Sequence, residues 1–236
     1  RPQQDLHQRL RREGEEDHGI GHPVALRVEP LTINRVTELD LQVAPRHWPF
    51  AEARRAEISV HFAEQQRKRS HLWNGRVLLG TAPAFDGARL SEVDFASFLA
   101  WRDWGFPDKD VFNGFGMGAL RASDGAFVLG EMGGQTANAG RVYFPSGTPD
   151  LDDVKHGRLD IPASVAREVE EETGLAPHEY RAAAHWDCIH TGVALAMIRT
   201  LDVDISGDVL RAKIEANLAR QSEPELAAIH LVRRRG

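Results

Sequence analysis

Arg167-Glu168-Val169-Glu170-Glu171-Glu172-Thr173-Gly174-Leu175 sets a dense run of carboxylates directly against a helix stop. Residues three and four apart share a helix face, so Glu168, Glu171 and Glu172 project into one sector about 100° wide. Like charges at that spacing destabilise an isolated helix by a few tenths of a kcal/mol per pair, which asks for a positive partner. A hard divalent cation answers that demand. Mg²⁺ and Mn²⁺ take oxygen ligands and bridge carboxylates to phosphates, whereas softer metals need the His or Cys that this segment lacks. Mg²⁺ is therefore the expected ion, with Mn²⁺ as the alternative. A charge run is also commonly just a solvated helix face, and the residues alone leave the two readings level.

The frame of the helix is legible. Asp160 or Ile161 suits the N-cap, Pro162 the first turn, and Gly174 the left-handed position after the last turn. Val165 and Val169, extended by Ala166, make an apolar stripe beside the acidic one, so one side packs while the other meets solvent or metal. Arg167 stands one turn before Glu171 and can hold it by an ion pair.

These nine residues resemble the second half of the Nudix hydrolase signature, Arg-Glu-apolar-any-Glu-Glu-any-Gly-apolar, at every position. The resemblance implies a fold, an activity and a site. The fold is α/β, a Nudix-like α/β/α sandwich with a mixed sheet, here with an N-terminal extension. The activity is metal-dependent hydrolysis of the pyrophosphate bond in a nucleoside diphosphate linked to another group, such as a nucleotide sugar or ADP-ribose. Glu168, Glu171 and Glu172 would be the metal ligands and catalytic acids, and Arg167 would orient a glutamate. In the first half of the signature a glycine, five residues, a glutamate and seven residues precede the arginine. Counting back from Arg167, those positions fall on Asp153 and Leu159, and neither matches. Gly147, in Phe144-Pro145-Ser146-Gly147-Thr148, is the better match for the glycine and joins the metal-site residues. The loop is then about six residues longer than the pattern, and Asp160, or one of Asp150, Asp152 and Asp153, would replace the absent glutamate. An altered loop also admits a Nudix-fold module that binds or senses a nucleotide conjugate without cutting it.

The rest of the chain reads as the matching scaffold. Phe115 to Ala122 is an expected strand, Asp124-Gly125 a hairpin turn, and Ala126 to Glu131 the return strand. Arg141 to Phe144 is a short strand leading to Gly147. Tyr180 to Asp187 and Val193 to Val203 read as strands, Asp208 to Arg220 as an amphipathic helix, and Glu225 to Val232 as a last strand. Gly114, Gly116 and Gly118 leave one strand face bare. Close packing of a helix is the common reason, and close approach of a flat part of the substrate is the other.

Upstream, Ala25 to Val28 and Glu38 to Val43 read as strands and Pro49 to Arg69 as a helix. Asn74-Gly75 is a turn before a strand at Val77 to Leu79, and a helix runs from Ser91 or Glu92 through Trp101. Trp73-Asn74-Gly75 and that helix also resemble longer Nudix proteins acting on nucleotide conjugates. On that resemblance Trp101, Trp104 or Phe106 would stack a base, while burial in a core is the commoner fate of large aromatics. The expected organisation is a polar tail at 1–21, an α/β extension at 22–110 packed on the core, and a Nudix core at 111–236. No internal repeat or low-complexity linker divides it.

At 236 residues the chain suits one large domain or a domain with an extension, and its net charge of -6 gives no general attraction to nucleic acid. Arg67-Lys68-Arg69 and Arg233-Arg234-Arg235 read as solvated ends. The lone Cys188 excludes an internal disulfide and, in an apolar strand, reads as a core residue; a reducing, cytoplasmic setting is expected. The sequence contains no apolar run of membrane length and no secretory signal. The expected partner is a small-molecule nucleoside diphosphate conjugate, without nucleic acid or membrane. Dimers are common among symmetric oligomers and in this family, so a homodimer is the assembly to test. His185 and His190 flank Trp186-Asp187, where each is either a base near the pocket or a satisfied structural histidine.

Overall fold

The strand at Val111–Ala122 carries glycine at alternate positions and touches more of the sheet than any neighbour, so it sets the architecture. The computed structural model describes residues 33–69, 72–81, 88–136 and 138–233. In chain order the elements are β1 (Ile33–Val36), β2 (Leu41–Val43), α1 (Pro49–Ala53), α2 (Arg55–Lys68), β3 (Arg76–Thr81), β4 (Ala88–Asp94), α3 (Phe95–Asp103) and β5 (Val111–Ala122). Then come β6 (Phe127–Met132), β7 (Val142–Tyr143), β8 (Ser146–Gly147), β9 (Val154–Lys155), β10 (Arg158–Leu159) and α4 (Ile161–Thr173). The chain continues with a 3₁₀ turn at Pro177–Glu179, β11 (Arg181–Ala182), β12 (Trp186–His190), β13 (Ala194–Val203), α5 (Gly207–Leu218) and β14 (Leu226–Val232).

The fold is α/β with one large mixed sheet. β13 runs parallel to β5 from Ala194↔Asn113 to Val203↔Ala122, while β3 pairs antiparallel with the start of β5 at Gly80↔Phe112 and Thr81↔Val111. β4 is antiparallel to β3, β2 parallel to β4, and the β9–β10 hairpin adds to β2. On the other side β12 and β1 extend the sheet beyond β13, and β14 pairs with β6. Leu31–Gly236 forms one compact unit. Among the described residues, no helix is long and apolar enough to cross a membrane.

The described residues gather into two apolar clusters. The larger joins Val165, Val169, Leu120, Trp186, Met197 and Ile214 around the sheet; the smaller gathers Trp101, Ile58, Leu99 and Val111 beneath α1, α2 and α3. Burying side chains of this size contributes roughly 1.5–3 kcal/mol each, which offsets the entropy of ordering them.

The alternating glycines serve close packing. A Cβ on Gly116 would stand 2.5 Å from Val165 Cγ2, and one on Gly118 would stand 2.4 Å from Val169 Cγ2. The apolar stripe of α4 therefore lies on the bare face of β5, while Phe115 and Met117 point to the other face.

Several expected boundaries shift. The helix expected from Pro49 to Arg69 breaks at Arg54, whose ψ of 20° lies outside the regular helix, so it becomes α1 and α2. The helix expected from Ser91 or Glu92 starts only at Phe95. Leu90 and Val93 stay in β4 because that strand is paired along its length with β3, and Asp94 caps α3 by accepting from the Ser97 amide at 2.9 Å. The strand expected at Glu38 to Val43 is limited to Leu41–Val43, and that at Tyr180 to Asp187 divides into β11 and β12. The expected 1–21 tail, the Ala25 to Val28 strand, and Arg234 and Arg235 lie outside the described residues.

Candidate active site

α4 is framed as its sequence demands. The Asp160 side chain accepts from the Ala163 amide at 3.1 Å, Pro162 occupies the first turn, and Gly174 closes the helix at φ 74° with its N–H on the Glu170 carbonyl. With Val165 and Val169 fixed on β5, the acidic stripe turns toward β8 and the following loop.

The three glutamates then meet different surroundings. Glu172 is 4% exposed; its Oε1 accepts from the Ser146 amide at 3.3 Å, and its Oε2 is buried without a hydrogen-bond partner. Burial pushes its carboxyl up to about 8, against the Ser146 amide and reinforced by the charges of Glu168 and Glu225. Glu168 is largely buried against Gly147, whose added Cβ would meet the carboxyl carbon at 2.2 Å. Burial raises its pKa, and the neighbouring Arg167 charge opposes that. Glu171 sits at the outer edge of the stripe with its side chain 61% exposed. Among the described residues, the side chains do not converge into a group of three metal ligands. Glu168 is paired with Arg167 and packed against Gly147 of β8, Glu172 accepts from Ser146 of the same strand, and Glu171 stays exposed.

Arg167 gathers acids from both sides. Its Nη1 donates to Glu168 Oε1 at 2.8 Å and lies 3.8 Å from Glu171 Oε2, while Nη2 donates to Asp153 Oδ2 at 3.0 Å. Of the loop aspartates, Asp150 Oδ1 accepts from the Asp152 and Asp153 amides, and Asp160 serves as the helix cap.

Gly147 and Glu168 form part of the wall of a cavity of about 760 Å³. Phe115 and Met117 give it apolar surface, Arg141 a cation, and Asn113 an amide whose Oδ1 is buried and unpartnered. Glu223 and Glu225 line it too, and the latter lies near enough to Glu168 and Glu172 to disfavour their ionisation. Neither Glu223 nor Glu225 stood out in the sequence, because two acids ahead of a strand are ordinary loop composition. The loop after β6 fastens this rim: the Gly133 amide donates to the Glu225 carbonyl at 2.7 Å and Gln135 Nε2 to the Pro224 carbonyl at 2.6 Å.

The aromatic residues expected to stack a base lie elsewhere. Trp101 is fully buried with its Nε1 donating to the Asp108 carbonyl, Phe106 packs edge-on at 4.8 Å, and Trp104 stacks under Arg54, all in the smaller cluster. His190 packs edge-on against Phe112, and His185 lies 3.8 Å from Asp187; neither lines the cavity. Cys188 is a buried core residue with its thiol pushed up to about 11 by burial. Arg67 is mostly exposed at the end of α2, and Arg233 pairs with Asp208 at 3.0 Å.

These features define a mixed-sheet α/β protein with a strand-loop-helix that brings the largely buried Glu168 to the wall of a polar cavity, with the buried Glu172 close enough to feel its charge. Solved structures similar to this chain include a Nudix hydrolase, RenU, from M. smegmatis, at 16% identity over 52% of this chain and 73% of that one, with a TM-score of 0.35. A Nudix hydrolase from Nitrosomonas europaea is similar at 16% identity over 51% and 71%, with a TM-score of 0.32. The MutT protein from Methanosarcina mazei Go1 is similar at 22% identity over 40% of this chain and 64% of that one, just under two thirds, with a TM-score of 0.29. No family model and no curated protein matches the chain.

Proposed function

We propose that the chain is a Nudix-type pyrophosphohydrolase, cleaving the pyrophosphate bond of a nucleoside diphosphate linked to another group with a divalent metal. One observation carries this reading: Glu172 holds a buried, unpartnered carboxylate oxygen beside the cavity-lining Glu168. An orphaned buried acceptor of this kind costs several kcal/mol unless a partner arrives, and a hard cation is the partner that suits a carboxylate. The chemistry of the donors suits Mg²⁺ or Mn²⁺: carboxylate oxygens of Glu168 and Glu172, with the exposed Glu171 on the same helix and Gly147 packed against Glu168. A divalent ion held there would supply neutralisation of pyrophosphate oxygens and a more acidic water.

The chain's own groups supply the rest. Arg141 offers a guanidinium to a phosphate at the cavity rim. Phe115 and Met117 shield one wall, and Asn113, with its unpaired amide oxygen, takes a donor from the substrate. Glu225, outside the metal set, accepts the proton from the attacking water. Arg167 keeps Glu168 oriented. The protein acts on a small molecule, in a reducing cytoplasmic setting.

A second reading is favoured by the lack, among the described residues, of three ligating side chains gathered as a metal group: a binding or sensor module for the same conjugates. Turnover and thermal shift on one panel of ADP-ribose, nucleotide sugars, NADH, dinucleoside polyphosphates and coenzyme A, with Mg²⁺ and Mn²⁺, decide between them. Release of a nucleoside monophosphate that Glu168→Gln or Glu172→Gln abolishes, with the fold kept, supports the enzyme; stabilisation without product supports the sensor. Wild-type turnover in both variants would overturn the site.

A further inference from the structure

The loop between Gly147 and α4 owes its length to a hairpin. β9 and β10 pair antiparallel through Arg158↔Lys155 and Leu159↔Val154, and the two residues joining them, His156 and Gly157, both have positive φ, 52° and 77°. The ends of this hairpin meet, since the Asp160 amide donates to the Asp153 carbonyl at 2.9 Å. The chain thus leaves at Asp153 and returns at Asp160 beside its point of departure. With residues 154–159 set aside as an insertion, five residues separate Gly147 from Asp153 and seven more lead from there to Arg167. That is the spacing of glycine, acid and arginine which the continuous sequence lacks.

The contacts agree with the count. The Asp153 side chain is 7% exposed, and its Oδ2 accepts from Arg167 Nη2 at 3.0 Å and from the Asp150 amide at 3.2 Å. Asp160 is committed to the helix cap and Asp150 to the turn. The hairpin itself has a separate anchorage: Arg158 pairs with Gln42, the Val43 amide donates to the Gly157 carbonyl at 2.8 Å, and Arg158 Nη2 lies 2.7 Å from Asp40 Oδ1.

We propose that Asp153 is the acid standing in for the absent glutamate, and that residues 154–159 are an insertion spliced between it and the helix cap. Asp153 is a positioning residue: it holds one nitrogen of the Arg167 fork so that the other stays on Glu168. A guanidinium gripped at one end keeps its plane, whereas a free one swings between Glu168 and Glu171. This rests on the reading of Glu168 as a metal ligand.

The test is Mn²⁺ affinity, by electron paramagnetic resonance, together with thermal unfolding, for the wild type, Asp153→Asn, Asp153→Glu, Arg167→Met and the Asp153→Asn/Arg167→Met pair. Outer contacts of metal ligands are worth about 10- to 100-fold in affinity, so Asp153→Asn is expected to weaken Mn²⁺ binding by about tenfold or more and Asp153→Glu to stay within about threefold. The double variant binds no more weakly than Arg167→Met alone, because Asp153 acts through Arg167. Unchanged binding in Asp153→Asn, or a double variant showing the product of the two single losses, overturns the proposal. A wild type that binds no Mn²⁺ refutes the metal-site reading instead, and the pair is then decided by the unfolding midpoints: non-additive losses support it and additive losses overturn it.

Discussion

The Val165 side chain fills the place of a Cβ on Gly116, its Cγ2 standing 2.5 Å from that point. Helix and strand are in direct contact there, and the depth of that contact sets where Glu168 and Glu172 arrive. Gly116→Ala and Gly118→Ala force α4 outward and are expected to destabilise by about 1–3 kcal/mol each. Gly114→Ala meets nothing closer than 3.7 Å and is expected to unfold like the parent. Urea unfolding of the three variants checks this, and a Gly116→Ala midpoint equal to that of Gly114→Ala would refute it.

Glu172 makes the metal-free protein pH-sensitive. Its folded carboxyl keeps a proton up to about 8, whereas the unfolded one loses it near 4.5. Between those values the folded state binds more protons, so stability falls as pH rises, and the loss is complete above the folded pKa. Glu172→Gln removes that dependence. In the presence of a chelator its unfolding midpoint is expected to match the wild type at pH 4 and exceed it at pH 8.5. Coincident curves across the range would show that burial does not penalise the charge.

Cys188 is shut in the core of β12 with its thiol held up at about 11. Since the thiolate is the reactive form, iodoacetamide at pH 8 is expected to label the native chain far more slowly than the denatured one. Mass spectrometry over time reads the difference, and equal rates would mean that this strand opens freely.

His156 occupies the first position of a two-residue hairpin turn with φ 52°, where asparagine is favoured. His156→Asn is expected to stabilise the fold by about 0.5 kcal/mol, measured as a rise in the unfolding midpoint. A fall would place the cause in a contact of the imidazole instead of the backbone.

What the sequence disclosed, and what it hid, follows from how far apart the deciding residues lie. The helix at the site was legible from Asp160 to Gly174, because caps and an amphipathic stripe are written within a few turns. β13 and the part of β5 from Phe115 onward were legible as strands, while the start of β5 at Val111 was not; the glycine stripe was legible as a packing face though not as a face for Val165 and Val169 in particular. The β9–β10 hairpin was hidden: its strands are only Val154–Lys155 and Arg158–Leu159, too short to show alternation. That one omission also disguised Asp153, since distance along the chain separates it from Arg167 by a detour that space does not. Glu225 was hidden for a related reason, as it reaches the cavity only through the pairing of β14 with β6. The break at Arg54 left no local mark, since neither glycine nor an internal proline accompanies it.

β5 begins among the aromatic residues of the smaller cluster, at Val111, and six residues later its Met117 is a wall of the cavity. One uninterrupted backbone ladder thus serves two cores, with β3 on its early residues and β13 along the remainder. Loss of either core strips hydrogen bonds from the same strand, so neither half has an independent melting temperature to lose. Scanning calorimetry is expected to show a single endotherm whose van't Hoff and calorimetric enthalpies agree. Heat damage that begins far from the carboxylates, beneath Trp101, would then abolish the cavity in the same step.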